Sequence, residues 1–344
     1  MLRIQTPPLL LEDSLAGVSV PSDDIHTVLE IEGITPRVGE SVFYAADHVP
    51  DGYEPIVTHM RDRVADILDR MGFFVFTQPQ ASTMKSGAWK PLTDPSLVFK
   101  HTKGFIPRRF DVPDHPNLVA ERIFPLYDIY GNNLPEALTV APSHYGIQTL
   151  DEVGHNLSLP YRLKVLLDAL RGSHAALFPQ SIHHSDVKPA NIFAVKNSHG
   201  ASGKLFDFEG VGLNAVKSAL YSPSAYFGKY TTRLHVGHDV FSYGISILEI
   251  LTSDDIVIHF HNAWQKRRGM IDRITPPSVS SSQMLELYFR GFSHLFADHC
   301  QRNAIPKQVE IVILEMLDPR LGDVINVASI IRRIESIYQL KKLI

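Results

Sequence analysis

At 344 residues, with 44% hydrophobic residues, the chain is long enough for about two domains and too apolar for wholesale disorder. A formal charge of −4 gives no electrostatic ground for binding nucleic acid or a membrane surface, and a single cysteine, Cys300, excludes an intrachain disulfide and makes a reducing compartment the simpler expectation. No apolar run approaches the ~20 residues of a membrane span. The longest, Val240 to Leu251, is interrupted by Ser242, Ser246 and Glu249, and Met1 to Pro8 lacks the features of a signal peptide. The chain therefore reads as intracellular, with no nucleic-acid partner and no membrane insertion.

Residues 1 to about 26 are rich in Pro, Ser and Asp and read as a poorly ordered leader. Val28 to Glu32 alternates as a half-buried strand does, and Ser41 to Ala45 is a second strand candidate after a turn at Gly39. Ile56, Met60, Val64, Ile67, Leu68 and Met71 recur at helical spacing until Gly72. Residues 1–72 are taken as an N-terminal extension of unknown role.

The region 73–142 is strand-rich. Phe73 to Phe76 and Ser96 to Lys100 read as strands, the second ending on its lysine. Asp114-His115-Pro116-Asn117 reads as a helix start, with Leu118 to Phe124 as the helix and Pro125 ending it. Leu126 to Tyr130 and Ala137 to Val140 are two more strands. From residue 143 to 344 the pattern is mostly helical, with a strong amphipathic helix at Pro160 to Leu170, another from Asp239 to Leu251, and a last one running to Tyr338.

Two stretches carry chemistry. One is Ile182-His183-His184-Ser185-Asp186-Val187-Lys188-Pro189-Ala190-Asn191, followed by the strand-like Ile192-Phe193; the other is Lys204-Leu205-Phe206-Asp207-Phe208-Glu209-Gly210. An Asp, a Lys and an Asn at this spacing can serve one phosphoryl transfer: Asp186 accepts the attacking hydroxyl's proton, Lys188 neutralises a phosphate oxygen, and Asn191 offers a neutral oxygen to Mg²⁺. Asp207 would be the charged metal ligand.

These residues resemble the catalytic and metal-binding loops of eukaryotic-type protein kinases, H-R-D-x-K-x-x-N and D-F-G, with Ser185 in place of the Arg and Glu209-Gly210 in place of the Gly. The stretch His238-Asp239-Val240-Phe241-Ser242-Tyr243-Gly244 is similar to the family's D-V-W-S-x-G helix, and Ile311 to Arg320 to its closing segment. The resemblance implies an α+β, bilobal kinase-like fold, with a small antiparallel β-rich lobe at 73–142 and a larger, mainly helical lobe at 143–344. It also implies ATP and Mg²⁺ as cofactors, protein as substrate, and transfer to Ser or Thr hydroxyls, the type favoured by Lys188.

By the same resemblance Lys100 would pair with the α- and β-phosphates, with Lys90 and Lys103 as rivals, and Glu121 would be its helix partner. Thr139-Val140-Ala141-Pro142 falls where the hinge receives adenine, which assigns Ala141 to the nucleotide. The phosphate-covering loop falls on Ala81 to Lys90, whose one glycine is Gly87, with Val38 to Tyr44 as the rival. Leu213 to Gly237 resembles an activation segment without the closing Ala-Pro-Glu. Asp239 would accept hydrogen bonds from the catalytic-loop backbone, His184 would pack on Phe208, and Ser185 gives a phosphate on the activation segment no partner.

Two other readings stand beside an active protein kinase. The glycine-poor loop and missing Ala-Pro-Glu fit a pseudokinase serving as a binding module. Asp207-Phe208-Glu209 looks like the metal motif of choline and aminoglycoside kinases, which phosphorylate small molecules. The 17 histidines, including His259 and His261, show no zinc-ligand spacing; Lys266-Arg267-Arg268 reads as a solvated turn, and Cys300 as a packed residue.

Overall fold

The computed structural model describes residues 76–82, 86–91, 97–103, 110–127, 133–142, 147–154, 156–197, 200–208, 211, 218–231, 236–321 and 324–339. The extension at 1–72, with its two strands and its helix, lies outside the described residues, as do residues 73–75 of the first expected strand. The chain divides into two compact units: residues 1–112 with 120–145, and residues 113–119 with 146–344.

The described strands of the first unit form one antiparallel sheet. Its strands are β1 (Phe76–Ser82), β2 (Ser86–Pro91), β3 (Leu97–Lys103), β4 (Phe110–Asp111), β5 (Arg122–Tyr127) and β6 (Asn133–Pro142), in the order β1-β2-β3-β6-β5-β4. β3 runs on to Lys103 because it is paired on both edges, with β2 and with β6. Lys100 therefore sits in mid-strand rather than at a strand end, between Ala88 and Thr139.

The helix expected at Leu118 to Phe124 does not form. Pro116 and Asn117 make a turn, and a strand starts at Arg122, pairing Ile123 with Thr139. A helix of seven residues closed by a proline forms few of its own backbone bonds. A β-branched and aromatic run beside a free sheet edge gains a full ladder instead. Pro125, which has no N–H to give, is accommodated next to a register shift between itself and Tyr127.

The second unit is mainly helical. Its helices are α1 (Leu150–Val153), α2 (Leu159–Gly172), α3 (Pro223–Phe227), α4 (Val236–Leu251), α5 (Asp254–Ile274), α6 (Ser281–Arg302), α7 (Lys307–Met316) and α8 (Val327–Ile337). The hairpin of β7 (Ile192–Asn197) and β8 (Gly200–Leu205) lies against α2. Contact there is so close that a Cβ on Gly203 would fall 1.8 Å from the carbonyl oxygen of Val165. Asp168 of α2 seals the junction, accepting from Lys164 Nζ at 2.9 Å and from the Gly203 N–H at 3.3 Å. Along β8, Leu118 adds an isolated parallel bridge to Leu205: Val119 N–H donates to Leu205 O, and Leu205 N–H to Asn117 O, both at 2.9 Å.

α4 is buried from His238 to Ile250, as a helix apolar all round must be. Around it an aromatic core gathers Tyr226, Phe227, Phe241, Phe260, Trp264 and Phe292. Trp264 Nε1 donates to Tyr226 O at 2.8 Å, which ties α3 to α5. Lys266-Arg267-Arg268 lies within α5 rather than on a turn, and Arg268 donates to the carbonyls of Ala225 and Tyr226 at 3.2 Å. Among the described residues, no helix is long and apolar enough to cross a membrane.

Candidate functional site

The loop between α2 and β7 holds Asp186, Lys188 and Asn191, and a single buried carboxylate shapes it. Asp239, near the N-terminus of α4, accepts the backbone N–H of His184 at 2.6 Å and of Ser185 at 2.9 Å. Burial pushes the Asp239 carboxyl up to about 7, against the pull of those two N–H groups towards the charged form. With both donors fixed on one side chain, Ser185 takes a left-handed backbone with φ 69°, which turns Asp186 out of the line of the chain.

Asp186 is 3% exposed. Its Oδ2 accepts from Lys188 Nζ at 3.0 Å and from Asn191 Nδ2 at 3.1 Å, while Oδ1 has no hydrogen-bond partner among the described residues. Lys188 Nζ also donates to Ser218 Oγ at 2.8 Å. Asn191 Nδ2 donates to the Asp186 carbonyl at 2.8 Å, so the Oδ1 of Asn191 is the amide atom left to offer a cation.

Asp207 follows β8, and the Phe206 N–H donates to Asn191 O at 3.1 Å, which binds the backbone before Asp207 to the loop that holds Asp186. Asp207 has φ 67°, a left-handed conformation that Asp tolerates better than most residues. The His184 ring is bonded to Phe206 O at 2.8 Å and stands edge-on to Phe208, with centroids 4.8 Å apart, as the resemblance implies. Asp207 and Asn191 bring two hard oxygen donors on segments joined by a backbone bond, a donor set that could hold Mg²⁺.

Ser218, absent from the sequence-derived site, is placed by the segment that follows it. Tyr226 OH donates to Leu220 O at 3.0 Å, and Ser242 Oγ donates to Tyr221 O at 2.9 Å. No local signal picks Ser218 out among the hydroxyls of 213–237, because its partner Lys188 lies 30 residues away. The same unit carries an acidic cleft of about 480 Å³ lined by Asp151, Arg162, Pro189, Glu249, Asp254 and Asp255, among others. Ligand oxygens of Asp151, Glu249 and Asp254 lie within 4.8 Å of one another. Tyr221 OH donates to Glu249 Oε2 at 2.5 Å, and burial with the neighbouring carboxylates pushes Glu249 up to about 8.

The remaining expected residues are in the first unit. Lys100 and Ile123 flank Thr139 from opposite sides, so β3 and β5 both border β6. Lys100 is half-buried in β3, and Ala141 is half-buried near the end of β6. Glu121 is 4% exposed, but it precedes β5 instead of standing on a helix, and its carbonyl accepts the Val112 N–H at 2.8 Å. Ala81 to Lys90 spans the β1–β2 hairpin, with Ser82 opposite Gly87; the rival loop at Val38 to Tyr44 and the metal-loop residues Glu209 and Gly210 lie outside the described residues.

No protein-family profile matches the chain, and no curated protein sequence matches it. Among solved structures it is similar to the PK-1 kinase of Cydia pomonella granulovirus, at 14% identity and a TM-score of 0.47, over 79% of this chain and 97% of that one.

Proposed function

We propose that the chain is an ATP- and Mg²⁺-dependent protein kinase that transfers a phosphoryl group to serine or threonine hydroxyls. The observation that carries this reading is the division of labour on Asp186. One carboxylate oxygen is committed to Lys188 and Asn191, and the other, itself buried, has no hydrogen-bond partner among the described residues. A general base needs a fixed carboxylate with one oxygen not committed to another donor, and a substrate hydroxyl would have to uncover that oxygen to reach it. As the substrate oxygen bonds to the γ-phosphorus and the bond to the β-phosphate oxygen breaks, the hydroxyl proton goes to Asp186. Lys188 offsets charge on the transferred group. Asp207 and Asn191 would hold Mg²⁺, which when bound would supply charge neutralisation on the phosphates. Lys100 and Ala141 would address the nucleotide, and Glu121, buried just ahead of β5 rather than on a helix, would be the acidic partner of Lys100.

One observation favours a second reading, a kinase fold that binds without catalysing transfer: among the described residues between β3 and β6, no helix carries a glutamate. Transfer of labelled γ-phosphate by the purified chain, with Asp186→Asn alongside, separates the two. The kinase reading expects transfer that the variant lowers at least ~10²-fold, with nucleotide affinity kept. Absence of transfer to generic protein substrates and to a panel of small alcohols and amines favours the binding module; transfer to the panel alone makes it a small-molecule kinase.

A further inference from the structure

Beside the catalytic loop lies a cavity of about 10 Å³, room for a single water molecule. Ser185, Asp186, Ser218, Ser222, His238 and Asp239 are among the residues lining it. Ser185 is 7% exposed and Asp186 3%. Ser185 Oγ and Asp186 Oδ1 are both buried without a hydrogen-bond partner among the described residues. Two such atoms on adjacent residues are costly unless something bridges them, and a hydroxyl beside a carboxylate oxygen is a fitting pair of contacts for water.

We propose that Ser185 is a positioning residue for Asp186, acting through one water held in this cavity. The water donates to Asp186 Oδ1 and accepts from Ser185 Oγ. Oδ1 keeps a second lone pair for the substrate hydroxyl. With Oδ2 tied to Lys188 and Asn191, the water ties the remaining oxygen and stops the carboxylate rotating. The bond from Ser185 N to Asp239 Oδ1 at 2.9 Å fixes the direction in which the serine side chain leaves the backbone. The inference rests on Asp186 being the proton acceptor.

Ser185 has φ 69°, a conformation that glycine adopts at little cost, so Ser185→Gly removes the hydroxyl without straining the loop. The test compares steady-state kinetics of wild type, Ser185→Ala and Ser185→Gly with Asp186→Asn, and seeks the water in a high-resolution crystal structure. Loss of one water-mediated contact should lower kcat about fivefold in both the Ala and Gly variants, with KM for ATP within about twofold. Gly should melt no lower than wild type, and the water should bridge the two atoms in wild type alone. A merely structural serine would instead let Gly act like wild type. Wild-type kcat in Ser185→Gly, or a wild-type crystal structure without the bridging water, overturns the positioning role while an inactive Asp186→Asn leaves the base assignment standing. An active Asp186→Asn removes that assignment and the inference with it.

Discussion

The ammonium of Lys188 stands 3.0 Å from Oδ2 of Asp186, on a side chain 24% exposed facing one 2% exposed. The same nitrogen reaches Ser218, so one cation joins the loop of Asp186 to the segment that follows Asp207. Lys188→Ala should lower kcat about 10²-fold, since charge at the transferred group goes unmatched and the segment loses its anchor. Affinity for ATP should change less than about threefold, because uniform binding is not what the lysine supplies. Kinetics with a nucleotide titration check both halves; unchanged kcat would remove Lys188 from the chemistry.

Asp207 requires a substitution that respects its backbone. At φ 67° alanine would add strain, whereas asparagine tolerates the conformation and removes only the charge. Asp207→Asn should abolish the Mg²⁺ dependence of nucleotide binding. A fluorescent ATP analogue titrated with and without Mg²⁺ measures it. Persisting metal dependence would move the ligand role elsewhere, with Glu209 the first suspect.

Asp239→Ala should cost about 2–5 kcal/mol of stability, the penalty for leaving the buried His184 and Ser185 N–H groups unpaired. Asp239→Asn retains one acceptor and should cost less. Urea unfolding decides the order of the two, and equal, small losses would show that water replaces the carboxylate.

Glu249 sets a pH dependence. Its carboxyl is pushed up from 4.5 to about 8, so the folded state holds its proton more tightly than the unfolded state does. The stability this contributes is fully present below about pH 4.5 and is lost as pH rises through 8. Asp239, raised to about 7, adds the same sign in every variant that keeps it. Between pH 6 and pH 9, Glu249→Gln should lose less stability than wild type by on the order of 1–2 kcal/mol. Equal losses in urea melts at the two pH values would mean that Glu249 ionises freely.

The helical unit was legible because its signals are local. Pro160 to Leu170 repeats its apolar residues at helical spacing and buries that face in α2. Asp239 to Leu251 is predominantly apolar, with Ser242, Ser246 and Glu249 interspersed, and forms the buried α4. Asp186, Lys188 and Asn191 fall within six residues, so a short loop suffices to bring them together. Partners far apart in the chain were not legible, and neither the Ser218 contact with Lys188 nor the meeting of Asp151, Glu249 and Asp254 leaves any mark on spacing.

What the residues alone determined, then, was the order of motifs, the helices of the second unit and the identity of the groups offered to chemistry, because each depends on neighbours within a turn or a short loop. Only tertiary structure decided that Glu121 precedes a strand: Ile123 finds its backbone partner at Thr139, and sheet pairing outweighs a weak local helix. Only tertiary structure, too, decided which oxygen of Asp186 is held and which is left, since that depends on where Lys188, Asn191 and the Asp239-bound backbone of Ser185 come to rest.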